Sequence, residues 1–472
     1  MDSNADSLAN SPDAGPSRTL VCECGRRFTR IENLRRHQRN HEESKLSCPT
    51  CGRTFRRPDV LKRHMPWLTE EVYLRTKAWC VSERTIRWPD LSTANYLINT
   101  HFERVEPQLP IIHLPTFEAS HAPPALITAL LASGAHATPH IRARTFSCQV
   151  AETLRVLEPS DLDSLHVLLL AYLAASSCGN PRAHLILASL GSHVRTLRLL
   201  GPRQTESDFA TWVRHERATR LGLAVLLFDT TLGLSDVASA PIPDQERWLL
   251  TSDAWVAREQ TSVGAALATL PRYPATVGEF GASVLYTTIH YGIRAYRAEE
   301  RVFGHTQEVL GLALPARVHA LETLLEAAGH AYGQSVGYHL GYVLLRAPRV
   351  EDLESKSTTD PLPIVHAAHL LISAGWPLPK DNIVFSGAGY HALLILRAWA
   401  SQPGPRDEDA LVAELMAPRA TAAPHVGPHG ILPVEQAVTP AHVLKLGLQW
   451  MVNSGASGYA NRLARLLDRE EG

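Results

Sequence analysis

The first thing this 472-residue chain lacks is a long apolar run. The longest, "LHVLLLAYLAASSC" (Leu165 to Cys178), is too short and too often interrupted by His and Ser to cross a bilayer. The N-terminus, "MDSNADSLANSPDAGPSR", is acidic and polar and holds no apolar signal core. Both absences lead to the expectation of a soluble, intracellular protein without membrane partners. Cysteine is scarce, with seven in all. An odd count, with close pairs among four of the seven, looks like metal ligands in a reducing compartment rather than a disulfide framework. Cys80, Cys148 and Cys178 are scattered through the rest, the last two within apolar helical runs. An excess of charge is missing too: the formal net charge of -1 by itself points to no polyanionic partner. Strand and helix patterns do not alternate along the chain, which argues against a parallel α/β domain.

The even charge balance conceals a segregation. Residues 17–67 carry 13 Lys/Arg against 5 Asp/Glu, a net of +8. The first 16 residues hold Asp2, Asp6 and Asp13 and no Lys or Arg, a net of -3. Subtracting both from -1 leaves residues 68–472 at -6. A strongly basic module on a mildly acidic body suits local attraction to phosphate.

Within the basic module lie two short repeats. In "VCECGRRFTRIENLRRHQRNH", twelve residues separate Cys24 from His37 and three separate His37 from His41. Phe28 and Leu34 fall where a small ββα unit needs its two core residues, and Cys22 and Cys24 supply thiolates. Two thiolates and two imidazoles close a tetrahedral Zn2+ site of the structural kind. The second repeat has Cys48, Cys51, Phe55, Leu61 and His64 at matching internal spacings. The candidate metal ligands are therefore Cys22, Cys24, His37, His41, Cys48, Cys51 and His64. A final histidine is due about three to five residues after His64, yet Leu68, Thr69 and Glu70 fill those places.

This pattern resembles the Cys2His2 zinc fingers over about residues 20–65. The first knuckle, Cys22-x-Cys24, is one residue short of the usual pair spacing, so its turn must differ. The connector "EESKLS" is also one residue shorter than the usual linker. The resemblance implies that positions -1, 3 and 6 of each helix face three successive bases. These are Arg30, Asn33 and Arg36 in the first finger, and Arg57, Val60 and Arg63 in the second. Arg offers a fork to guanine O6 and N7, and Asn pairs with adenine N6 and N7. Double-stranded DNA with a G-rich major-groove site near 5'-GNGGAG-3' is the expected partner. Asp59 is placed to brace Arg57, while Arg26, Arg27, Arg35, Lys45, Arg53, Arg56 and Lys62 would mostly meet phosphate.

Beyond about residue 66 the composition turns to Leu, Ala and aromatics, and the spacing of apolar residues at three and four predicts helices almost throughout. Examples are "SDLDSLHVLLLAYLAASS" and "PRAHLILASLGSHVRTLRLL", punctuated at Gly179-Asn-Pro181 and Gly201-Pro202. Further helical patterns lie at about 279–302, 313–331, 362–373, 389–400, 407–416 and 438–470. The stretch from Ala417 to Pro433 reads as a loop.

Residues 96–117, "YLINTHFERVEPQLPIIHLPTF", resemble the opening of the fungal-specific transcription factor domain, or middle homology region. "TWVRHERATRLGLAVLLFDTTLGL" (Thr211 to Leu234) is similar to that domain's Trp-x3-Glu-x2-Arg helix, and "APIPDQERWLLTSDAW" (Ala240 to Trp255) to a third segment of it. The likeness runs over about 90–400 and implies an all-α regulatory domain. The residues also have a plainer account: Glu216 and Arg220 are four apart on one helix and can pair, and His113 between two prolines reads as a structural loop residue.

Two enzyme-like matches lack their context. "GQSVG" (Gly333 to Gly337) would need a strand before Ser335, where the pattern is helical. In "NIVFSGAGYHA" (Asn382 to Ala392), Gly387 and Gly389 open a helix, and Asp407 falls twenty residues on, but no second strand follows. Packing of helices through small residues explains it better, and no catalytic residues are expected.

The expected fold is mostly α, with small N-terminal ββα zinc fingers ahead of a large all-α regulatory domain. The expected division is a disordered N-terminus (1–17), finger one (18–41), an incomplete finger two (46–65), a linker (66–90), the fungal-specific domain (91–400) and a helical C-terminal extension (401–472). The expected function is sequence-specific, zinc-dependent regulation of RNA polymerase II transcription in the nucleus, compatible with a pathway-specific role and with co-regulator partners. The alternative is a regulatory or scaffold protein whose fingers no longer read DNA. Activator or repressor character, effector and oligomeric state are not written in the residues.

Overall fold

The chain begins with two short antiparallel hairpins. β1 (Leu20–Val21) pairs with β2 (Arg27–Phe28), and β3 (Leu46–Ser47) pairs with β4 (Thr54–Phe55). The computed structural model describes residues 20–22, 27–28, 46–47, 54–55 and 67–81 in this part of the chain. Beyond it, residues 86–138, 140–155, 157–202, 208–229, 234–257, 259–303, 314–347, 361–374, 386–401, 440–453 and 457–471 are described. The expected disordered N-terminus, a helix at 407–416 and the loop from Ala417 to Pro433 lie outside these residues. Residues 1–67 form one unit and residues 68–472 a second.

The second unit is helical, as its three- and four-residue apolar spacing requires. The segment expected as a linker holds α1 (Glu70–Val81). This helix packs on the body because Leu68 and Asn95 exchange hydrogen bonds (2.9 and 3.3 Å) and Tyr73 donates to the Pro89 carbonyl (2.8 Å). Arg75 donates to the carbonyls of Ser120 and Ala122. The sequence reading missed α1 because its apolar residues do not gather on one face.

Asp90 caps α2 (Leu91–Thr100) by accepting from the Thr93 N–H at 2.7 Å. The helix then widens into a π-turn over His101–Val105, where the Glu106 N–H reaches back to the His101 carbonyl. Next come α3 (Pro124–His136), α4 (Ile141–Leu154), α5 (Leu162–Ser177), α6 (Ala183–Thr196) and α7 (Phe209–Leu226). Asp161 and Ser164 form a capping box at α5. Gly179 ends the same helix at φ +69°, with the Asn180 N–H donating to the Ala175 carbonyl. The sequence had marked that glycine as punctuation. α3, α4 and α5 pack against one another, and α3 also packs on α1 and α2.

Three short helices follow: α8 (Leu234–Ser239), α9 (Gln245–Trp248) and α10 (Val263–Thr269). The long α11 (Glu279–Phe303) then packs with α12 (Leu314–Tyr332) and α13 (Val336–Arg346) around Tyr286, Ile293, Leu325 and Tyr342. A further core joins α13 to α14 (Pro361–Ser373), α15 (Ser386–Ala400), α16 (Pro440–Asn453) and α17 (Ser457–Glu471). Gly389 packs α15 on α16: a Cβ there would stand 2.5 Å from the Trp450 ring. The glycine pair that mimicked a dinucleotide loop thus includes a packing glycine. Ser335 follows α12 and precedes α13, with no strand before it, so the nucleophile elbow is absent here.

No described helix is long and apolar enough to cross a membrane. The cysteine pattern points away from a disulfide framework, whereas the structure joins Cys148 and Cys178 in a disulfide between α4 and the end of α5. They lie thirty positions apart in sequence, too far for local spacing to reveal the contact.

Candidate nucleic-acid interface

The strands of the two hairpins bracket the candidate cysteine pairs in sequence, Cys22 and Cys24 in the first and Cys48 and Cys51 in the second. In the first, Val21 stands opposite Arg27, so the turn comprises residues 22–26. In the second, Ser47 stands opposite Thr54, so the turn comprises residues 48–53. The first turn is one residue shorter, which is the residue missing between Cys22 and Cys24. The deletion falls between the paired strands, whose register is the same: Leu20 is opposite Phe28, and Leu46 is opposite Phe55. The changed first knuckle therefore does not displace Phe28 from the position its counterpart Phe55 holds.

Cys22 is buried immediately after β1. The other ligand candidates, Cys24, His37, His41, Cys48, Cys51 and His64, lie outside the described residues. So do the base-reading candidates Arg30, Asn33, Arg36, Arg57, Val60 and Arg63. A buried thiol at the mouth of a tight hairpin suits a soft divalent cation. Two thiolates with two imidazoles are the donor set of structural zinc. Among the described residues no group of three or more His, Cys, Asp and Glu side chains is arranged to hold another metal ion.

In the helical unit, the three segments singled out in the sequence converge on one buried guanidinium. Arg220, on α7, donates to Glu216 at 2.8 Å, and both side chains are almost wholly buried. It also donates to the Asp244 carbonyl (2.9 Å), the Gln245 side chain (3.0 Å) and the Pro110 carbonyl (3.4 Å). Its plane lies 4.6 Å from the Trp248 ring centre. Pro110 belongs to the first segment, Arg220 to the second, and Asp244, Gln245 and Trp248 to the third. Gln260 donates to the second oxygen of Glu216 at 3.2 Å. Burial pulls the Arg220 pKa down, and the Glu216 carboxylate opposes that pull.

Around this pair the aromatic residues interlock. Arg247 lies over Trp212 (4.8 Å) and Trp255 (5.3 Å). The His113 ring stands edge-on to Trp248 at 4.7 Å, and its Nδ1 bonds the Thr116 hydroxyl at 2.9 Å. His113 is a buried structural residue, in accord with its place between prolines. One layer further in, Glu106 accepts from the Ile112 N–H at 2.7 Å, and His101 lies 3.4 Å from its other oxygen. Burial raises the Glu106 pKa well above the carboxylate range, against the pull of that N–H and of Arg220. Burial lowers His101 to about 3, so its imidazole is neutral. Ser133 stands 3.0 Å from His101 Nδ1. Serine, histidine and glutamate in a row could pass for a catalytic triad, but all three are buried and no hydrogen bond joins His101 Nε2 to Glu106 Oε2, so they form part of the structural core. Sequence reasoning overlooked Glu106 and His101, although the π-turn that sets them together lies inside the first quoted segment.

Family comparison agrees with this division. The zinc finger, C2H2 type, matches residues 22–41 and 46–65, and the fungal specific transcription factor domain matches residues 98–235. No curated protein and no solved structure matches the chain. Of the three segments around Arg220, the first two coincide largely with the matched span and the third lies beyond it. The class is thus a zinc-binding, DNA-binding regulator of transcription. More narrowly, two segments similar to the C2H2 zinc finger precede one similar to the fungal specific transcription factor domain.

Proposed function

We propose that the finger pair reads a G-rich duplex site near 5'-GNGGAG-3' and regulates RNA polymerase II transcription in the nucleus. In this reading the helical domain governs activity and engages co-regulators. Each finger uses its full set of candidate ligands, the second completing only three protein ligands, and Arg30, Asn33, Arg36, Arg57, Val60 and Arg63 face the bases. The observation that carries the reading is the duplicated hairpin. Two knuckles of unequal length are bracketed by strand pairs of matching register, and a net charge of +8 is concentrated on this module. Three ligands make finger two dependent on finger one, and finger one the principal reader.

The test is an electrophoretic shift of the full chain, with zinc, on duplexes containing GNGGAG and on scrambled duplexes. Specific retention at physiological salt is expected. Arg30→Ala should relax preference at one guanine at a cost of about 1–3 kcal/mol, whereas Lys45→Ala should weaken all sequences alike. Equal, weak, salt-labile binding to both duplexes would leave only the phosphate term and overturn sequence reading in favour of a scaffold role.

A further inference from the structure

The chain places two opposite demands on its cysteines. Zinc in the fingers needs Cys22, Cys24, Cys48 and Cys51 as thiolates, a state kept by a reducing compartment. Yet Cys148 and Cys178 are joined in the same molecule. In reducing compartments such bonds are usually transient, catalytic or redox-sensing. Both cysteines are only half-buried, so small oxidants and thiols can reach them.

The surroundings of the two sulfurs differ. Cys148 sits within α4, one turn after the guanidinium charge of Arg144. That charge is felt locally: after burial, it is the second cause holding His136 down to about 4. Cys178 is the C-cap of α5, at the end of the helix where the backbone dipole disfavours an anion. Ser177, beside it, bonds His136 at 3.0 Å and also donates to the Leu173 and Ala174 carbonyls, which fixes the end of α5. The two Cα atoms stand 6.2 Å apart, inside the range that a disulfide spans without backbone movement.

We propose that Cys148 and Cys178 are an oxidative modification site, a reversible thiol pair closed by hydroperoxides and reopened by thiol exchange. Cys148, as thiolate, attacks the outer peroxide oxygen; the O–O bond breaks, an alcohol or water leaves, and Cys148 becomes a sulfenic acid. The Cys178 thiol then attacks that sulfur, the S–O bond breaks, and water leaves. Two thiols and one hydroperoxide thus give one disulfide, one alcohol and one water, with two electrons passing from the sulfurs to the peroxide. Reduced thiols such as glutathione return those electrons through a mixed disulfide. Closure staples α4 to the end of α5 inside the span matched by the fungal specific domain, so oxidation stiffens the regulatory unit independently of whether the fingers read DNA.

The test uses the full zinc-loaded chain, with the state of each cysteine mapped by mass spectrometry so that finger thiols are scored separately. After incubation with reduced glutathione the Cys148–Cys178 cross-link should be lost. After removal of glutathione and addition of stoichiometric hydrogen peroxide it should return, lighter by two hydrogens than the dithiol. Cys178→Ser should trap sulfenic acid at Cys148 for a dimedone probe, while Cys148→Ser should leave Cys178 unlabelled. A cross-link that survives glutathione, or thiols that peroxide leaves open or drives past sulfenic acid without linking, would overturn the proposal. Dimedone labelling of Cys178 in Cys148→Ser would overturn the assignment of the attacking sulfur.

Discussion

At the scale of the residue, Arg220 is the point on which the regulatory domain depends most. Its guanidinium serves three segments more than 130 residues apart in sequence at their extremes, and it has no solvent to fall back on. Arg220→Ala leaves Glu216 as an uncompensated buried charge and should cost about 3–5 kcal/mol. Arg220→Lys should recover little of it, because one ammonium cannot reproduce the fork that meets Glu216, Gln245 and two carbonyls. Urea unfolding of the three proteins checks this. A Lys variant as stable as the parent would mean that charge alone, without geometry, holds the segments. The sequence made half of this legible. Spacing of four on a helix announced the Glu216–Arg220 pair, but not that it is buried or what else it holds. Pro110 and Asp244 accept from Arg220 through their backbone carbonyls, and carbonyls carry no side-chain signature.

At the scale of the element, Gly134 decides how closely α2 and α3 approach. A Cβ at that position would stand 1.8 Å from the Leu97 carbonyl oxygen and 3.1 Å from the His101 nitrogen, both backbone atoms that cannot swing away. Gly134→Ala should therefore destabilise by about 1–3 kcal/mol or more, despite the better helix propensity of alanine. It should also disturb the neighbouring Ser133–His101 bond. A thermal scan and the His101 imidazole NMR signals report both effects; an unchanged midpoint would mean that the helices separate freely. The disulfide belongs to this scale as well. Under oxidising conditions, Cys178→Ser should lose about 3–4 kcal/mol relative to the closed parent, the entropy of a loop of about 30 residues, read as a lower denaturation midpoint. Helix existence was legible from apolar periodicity, as at α11, α12 and α14. Helix contacts were not, since a glycine reads alike whether it faces a neighbour's backbone or water. α1 was missed for the converse reason: it lacks a single apolar stripe, and side-chain bonds from Asn95, Tyr73 and Arg75 fasten its region.

At the scale of the whole molecule, buried neutral histidines set the response to acid. Burial lowers His101, His290 and His339 to about 3, and His136 and His366 to about 4. Unfolded, each would take a proton near pH 6.5. Between about pH 6.5 and 4 the unfolded chain thus binds more protons, so stability falls as pH falls through that window. Each fully buried histidine adds a slope of up to about 1.4 kcal/mol per pH unit. The effect is smaller for His339 and His366, which keep some contact with solvent; there His339 and His366 face each other at 3.0 Å and His339 stacks on His369. Glu106 opposes them, since its raised pKa favours the folded state as pH falls towards 4.5, but it is one group against seven, because burial lowers His166 and His369 as well. Calorimetry from pH 7.5 to 4 should show a falling midpoint below pH 6.5, with a shallower fall in His290→Gln. A flat profile would contradict neutral burial.

Ligand spacing announced two zinc fingers and apolar periodicity a helical body, because both patterns are local and repeat within a few residues. The sequence also located the three segments of the regulatory domain. The fold alone shows that those segments close on Arg220, that both hairpins share one strand register despite the shorter first knuckle, and that Cys148 meets Cys178. Each of these is a contact between residues distant in sequence or a registration of backbone atoms, and neither leaves a periodic trace in a linear chain.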